Sequence, residues 1–92
     1  MKITKKLREQ AAMVCAAAAC VRSKSETGGT MVYDHIGNLL GVSRAARKLA
    51  LDAWHAAPNP TDEWRPDRGW TQARDAEAEA LLRTGFVPEG WS

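Results

Sequence analysis

The chain contains few of the large aliphatic and aromatic residues that fill most protein cores. Leucine, isoleucine, valine and phenylalanine together make up 15 of its 92 residues, and alanine alone contributes 16. A chain of 92 residues is also too short for a Rossmann fold, a TIM barrel or a kinase-sized enzyme. We therefore expect one small domain spanning residues 1–92, in which four tryptophans supply much of the missing bulk.

Cysteine and histidine are scarce, and their spacing excludes the common metal sites and disulfide frameworks. Cys15 and Cys20 lie on one predicted helix, where their i,i+5 spacing directs them about 140° apart. No CxxC pair occurs, and no cluster of cysteines or carboxylates frames His35 or His55. We expect two buried, reduced thiols, no metal, no cofactor and a reducing, cytoplasmic location in a host cell.

Motifs for catalysis and for membrane insertion are missing as well. The sequence has no glycine-rich phosphate loop, no nucleophile elbow and no arrangement typical of a catalytic triad, so we expect no enzyme. The longest apolar run, Ala11 to Val21, is mostly alanine and has 11 residues. A membrane span needs about 20 apolar residues, and a signal peptide needs a more hydrophobic centre. We therefore expect neither a membrane anchor nor secretion.

Helical spacing of the apolar residues predicts an all-α bundle of three to five helices. Asp34 is the expected N-cap of the second helix, Gly41 its end, and Gly85 the end of the last helix. An irregular linker containing prolines and Trp64, residues 59–69, separates the last two helices. The predicted helices are Thr4 to Val21, His35 to Leu40, a third helix capped by Ser43 and stopped by Pro58 and Pro60, and Trp70 to Arg83.

The low aliphatic content also predicts a homodimer, because a thin core is often completed by a second copy. The expected seam is the alanine-rich face of the first helix, formed by Ala11, Val14 and Ala18.

The sharpest local pattern runs from Ile36 to Arg44 and resembles the helix-turn-helix core of bacterial DNA-binding proteins. In this resemblance Gly41 is the left-handed turn residue, Val42 packs between the helices and Ser43 caps the recognition helix. The resemblance implies DNA contacts by Arg44, Arg47 and Lys48 at the start of that helix.

The pattern departs from the helix-turn-helix motif at Arg47, where a recognition helix usually buries valine or isoleucine. A plain helical hairpin with a solvated basic face is the open alternative. Charge is unevenly distributed, with a net +6 over residues 1–50 and −4 over residues 51–92. The basic half suits nucleic acid, and the acidic half suits a basic partner. The alternative is that these charges solubilise helix faces, as in the i,i+4 pair of Lys48 and Asp52.

A second resemblance concerns the C-terminal stretch Ala78 to Pro88, with the sequence AEALLRTGFVP, and the segment Leu51 to Ala56. Both segments are similar to small accessory proteins of bacteriophages and prophages. The resemblance implies a non-enzymatic protein that binds and blocks a host or bacterial-defence component, as anti-CRISPR proteins do. We rank this function first and a helix-turn-helix regulator second.

The residues expected to bind a protein partner are Trp64, Trp91, Arg65 and Arg68. Tryptophan is enriched in binding hot spots, and Trp64 between prolines is the expected anchor. The alternative is that the tryptophans fill the core.

Overall fold

A computed structural model describes residues 2–24, 31–60, 63, 65 and 67–91. Over these residues the chain forms four α-helices and no strand, which confirms the predicted all-α fold. The helices are α1 (Lys5–Lys24), α2 (Met31–Leu40), α3 (Arg44–Ala56) and α4 (Arg68–Arg83). Helix α1 contacts each of the other three, and its longest interface is with α4. No helix in the described ranges combines the length and the apolarity that crossing a membrane requires.

Side-chain caps mark the starts of α1, α3 and α4. The Thr4 hydroxyl accepts a hydrogen bond from the Leu7 amide at 3.1 Å, which confirms the predicted cap of α1. Helix α2 begins at Met31, so Asp34 lies inside its first turn and the prediction that it is the N-cap is wrong. The earlier start buries Val32 on the same face as Ile36, four residues later, and an aspartate in the first turn complements the helix dipole.

Helix α4 likewise begins earlier than predicted. Asp67 is its N-cap, because its Oδ1 accepts from the Trp70 amide at 2.8 Å. At its other end Gly85 has φ +91°, and the Phe86 amide donates to the Leu81 carbonyl at 3.1 Å. This is the Schellman arrangement, and it confirms the predicted stop.

The core lies where α1 packs against α3 and α4, and alanine lets these helices approach closely. The predicted dimer seam of Ala11, Val14 and Ala18 is wrong, because all three side chains are fully buried within the chain's own core. These small side chains form the face of α1 that packs inside the bundle, so they are not available to a second copy. A homodimer remains a prediction and would need another surface.

Candidate nucleic-acid interface

The turn between α2 and α3 has the geometry that the sequence predicts. Gly41 adopts φ +69°, a left-handed conformation that glycine reaches without strain. The Val42 side chain is buried between the helices, and its amide donates to the Gly37 carbonyl at 3.2 Å. The Ser43 hydroxyl accepts from the Ala46 amide at 3.2 Å and caps α3. These contacts fix how α3 leaves the turn.

Arg47 stabilises the same turn from the side. Its Nη1 donates to Asn38 Oδ1 at 2.7 Å, and its Nη2 donates to the Val42 carbonyl at 3.0 Å. The Arg47 stem lies directly over Gly37, and a Cβ at position 37 would overlap it. Arg47 therefore packs between the helices with its aliphatic part, in the position where the helix-turn-helix pattern places valine or isoleucine.

The contact between Gly37 and Arg47 predicts an unusual effect of alanine. Gly37→Ala is expected to lower the free energy of unfolding by about 1 kcal/mol, because the new methyl group displaces an arginine held by two acceptors. In an Arg47→Ala background the same change is expected to stabilise by about 0.5–1 kcal/mol, the ordinary gain of alanine over glycine in a helix. Urea unfolding of the wild type, the two single variants and the double variant measures both effects. Equal destabilisation in both backgrounds would contradict this account.

An open concavity of about 590 Å³ lies between α2 and α3 and brings the three predicted DNA contacts together. Arg44 and Lys48 are exposed, one helical turn apart, and Arg47 is half-buried beside them. Asp34 is the one acidic residue of the lining, so cations outnumber acids there by three to one. The lining consists of Tyr33, Asp34, Asn38, Arg44, Arg47, Lys48 and Leu51.

The structure describes the residues expected to bind a protein partner only in part. Trp91 is half-buried against the core, and its Nε1 donates to Asp52 Oδ2 at 2.7 Å. Arg65 is exposed, with its Nε 3.5 Å from the Asp67 carboxylate. Trp64 and the side chain of Arg68 lie outside the described residues. A role for these four residues in partner binding stays a prediction.

Trp54 and Trp70 are both buried, which confirms the core alternative for this pair. Their rings meet edge to face with centroids 6.4 Å apart. Arg74 lies over the Trp54 ring at 4.4 Å, and its Nε and Nη2 donate to the carbonyls of Trp54 and His55. This guanidinium satisfies carbonyls at the end of α3 and thereby fixes α3 against α4.

A buried polar cluster, which we call the Asp75 cluster, was missed by sequence reasoning. It comprises Asp75, Arg22, Tyr33 and Cys15 from three different helices. Arg22 Nε lies 2.6 Å from Asp75 Oδ2, and both side chains are fully buried. The Tyr33 hydroxyl donates to Asp75 Oδ1 at 2.9 Å. One signal was available: Asp75 falls on the helix face that carries Ala78 and Leu82, at i+3 and i+7.

Burial dominates the acid–base behaviour of this cluster. It raises the pKa of Asp75, and the Arg22 guanidinium and the Tyr33 hydroxyl oppose that rise. It raises the pKa of the Cys15 thiol to about 12, against the opposing effect of hydrogen bonding with Tyr33. It also raises the pKa of Tyr33 far above its ordinary value. Thiol and phenol therefore stay protonated at neutral pH, and the cluster connects helices rather than supplying a nucleophile.

Within the described ranges, no group of three or more histidines, cysteines and carboxylates is arranged to hold a metal ion. No protein-family model, curated protein or solved structure matches the chain. The geometry of α2, the turn and α3 is therefore the basis for assigning a function.

Proposed function

We propose that this protein binds double-stranded DNA with α2, the turn and α3, and that the start of α3 enters the major groove. The observation that carries the proposal is the concavity beside the turn, where Arg44, Arg47 and Lys48 line one open surface. A recognition helix contacts base edges with its N-terminal residues while the preceding helix crosses the backbone. The buried Val42 and the Ser43 cap support the same arrangement.

The three cations have different roles in this proposal. Arg44 is the first residue of α3 and is exposed, so its guanidinium is suited to a base edge, such as the two acceptors of guanine. Lys48 is exposed one turn later and is suited to a phosphate. Arg47 is a positioning residue, because its guanidinium is bound to Asn38 and to the Val42 carbonyl.

A salt titration of duplex binding tests the proposal. The logarithm of the binding constant should fall with the logarithm of salt concentration, with a slope of about −0.9 for each phosphate contacted. Lys48→Ala should weaken binding to all sequences alike and make the slope shallower by about 1, whereas Arg44→Ala should cost about 1–3 kcal/mol on a preferred site. Fluorescence anisotropy with a labelled duplex, first random and then selected, measures these quantities.

Arg83→Ala is the matched control for Lys48→Ala. Arg83 is an exposed cation in an i,i+4 ion pair with Glu79, as Lys48 is with Asp52. We expect this control to bind DNA as the wild type does. Absence of duplex binding at about 50 mM salt, where such contacts are strong, would contradict the proposal.

Protein binding is the second candidate function, as an inhibitor of a host or bacterial-defence component. The observation that favours it is the end of α2, where Leu39 is 72% exposed and Leu40 is 41% exposed. Adjacent exposed leucines are suited to an apolar contact. Capture of one bacterial protein that is lost with Leu39→Asp, and kept with Val87→Asp at another exposed apolar position, would support it. Equal capture by both variants would contradict it.

A further inference from the structure

One carboxylate on α3 lies beside the cation that the proposed DNA interface assigns to phosphate. Asp52 follows Lys48 by one helical turn, and its Oδ2 accepts from Lys48 Nζ at 3.2 Å. The same oxygen accepts from Trp91 Nε1 at 2.7 Å. Trp91 belongs to the C-terminal segment after α4, so this segment contacts α3 at Asp52, beside Lys48.

We infer that Asp52, oriented by Trp91, is an affinity-limiting residue of the α3 surface toward DNA phosphates; this rests on the proposed function. Its carboxylate competes with phosphate for the Lys48 ammonium and repels a phosphate that approaches it. The Asp52 side chain is 26% exposed, so solvent screens it less than a fully exposed acid.

Trp91 determines where this carboxylate is held. The hydrogen bond from Trp91 Nε1 to Asp52 Oδ2 (2.7 Å) is shorter than the one from Lys48 Nζ to the same oxygen (3.2 Å). Trp91 itself packs against the core. An exposed ion pair alone exchanges freely with water and ions and is worth little. Anchoring by a half-buried indole keeps the negative charge beside Lys48 when the lysine turns toward DNA. Asp52 thereby disfavours weak binding to any duplex and leaves the contribution of Arg44 to sequence preference intact.

Asp52→Asn tests the inference in the salt titration with random duplex. We expect the variant to bind about two- to tenfold more tightly at low salt, because Lys48 keeps its phosphate contact and loses the competing carboxylate. The slope should steepen by less than about 1, since no new phosphate is contacted. Glu79→Gln is the matched control, since it removes the same charge from the i,i+4 pair with Arg83. We expect the control to change affinity less than about twofold, since surface pairs contribute little.

Two further variants separate the mechanism from a general charge effect. In a Lys48→Gln background, Asp52→Asn should give a smaller gain than it gives in the wild type. Trp91→Phe, which keeps the charge and loses the indole donor, should give part of the gain. Trp91→Phe also provides a second test of the inference if Asp52→Asn lowers the melting temperature of the protein.

The outcomes are distinguishable. DNA binding by the wild type with no gain in Asp52→Asn, or with an equal gain in Glu79→Gln, would overturn the inference and leave the proposed function standing. Binding by the wild type with a gain in Asp52→Asn that Glu79→Gln does not share would support the inference. Absence of binding by every variant would overturn the proposed function and the inference with it.

Discussion

Asp75→Ala is expected to lower the free energy of unfolding by about 3–5 kcal/mol, which is the usual cost of removing one member of a buried ion pair. The substitution removes the carboxylate that lies 2.6 Å from Arg22 Nε and accepts from the Tyr33 hydroxyl. Arg22 stays fully buried with its positive charge. A domain of this size has about 5–15 kcal/mol of stability in total, so the loss should be visible as a large shift of the urea midpoint.

Two comparisons identify the charge as the cause. Tyr33→Phe removes one hydrogen bond to the same carboxylate and should cost about 1–2 kcal/mol. The double replacement Arg22→Met with Asp75→Leu removes both charges and should be much milder than Asp75→Ala alone. A loss below about 1 kcal/mol for Asp75→Ala would show that the buried pair contributes little beyond what a surface pair does.

Alkaline pH is expected to unfold the protein earlier than its net charge alone would suggest. The pKa of Cys15 is 9.0 in the unfolded chain and about 12 in the folded one, because burial disfavours the thiolate. The pKa of Tyr33 is raised in the same direction. Above pH 9 the unfolded state releases these protons and the folded state keeps them, so stability falls as pH rises. For Cys15 alone the loss approaches about 4 kcal/mol by pH 12.

Thermal or urea unfolding between pH 8 and pH 12 measures how steeply the free energy of unfolding falls with pH. Cys15→Ala combined with Tyr33→Phe removes both ionisable groups and should flatten the alkaline decline, whatever its effect on stability at pH 7. Cys20→Ala is the control, since Cys20 is exposed and the prediction that both thiols are buried is wrong for this residue. An alkaline slope that is the same in the double variant and the control would contradict the assignment of the slope to the buried pair.

The helices were predictable where local chemistry is sufficient. Apolar spacing and the Thr4 cap define α1, and glycines in the left-handed region end α2 and α4 at the predicted residues. The start of α2 was not predictable, because the Met31 to Tyr33 triplet is too short to show a period by itself. The burial of Val32 and Tyr33 depends on the neighbouring helices, and their positions are known only from the fold.

The candidate site was predictable in its residues and only partly in their roles. Spacing after the turn placed Arg44, Arg47 and Lys48 on one surface, and they do line one concavity. The packing of Arg47 on Gly37 was not predictable from the motif, which has valine or isoleucine at this position. The aliphatic stem of an arginine can fill the same space while its guanidinium stays polar. The Asp75 cluster was not predictable, because its residues come from three helices and no local sequence pattern shows which helices pack together.

The overlap between position 37 and the Arg47 stem has a consequence for how sequences related to this chain would diverge. A side chain larger than hydrogen at position 37 displaces the Arg47 stem and is accommodated without cost only where position 47 becomes smaller in the same lineage. The two positions should therefore covary, with glycine accompanying arginine and alanine accompanying a shorter apolar residue. Position 38 should vary among other residues once arginine is lost from position 47, since the Asn38 Oδ1 would no longer have the Arg47 donor.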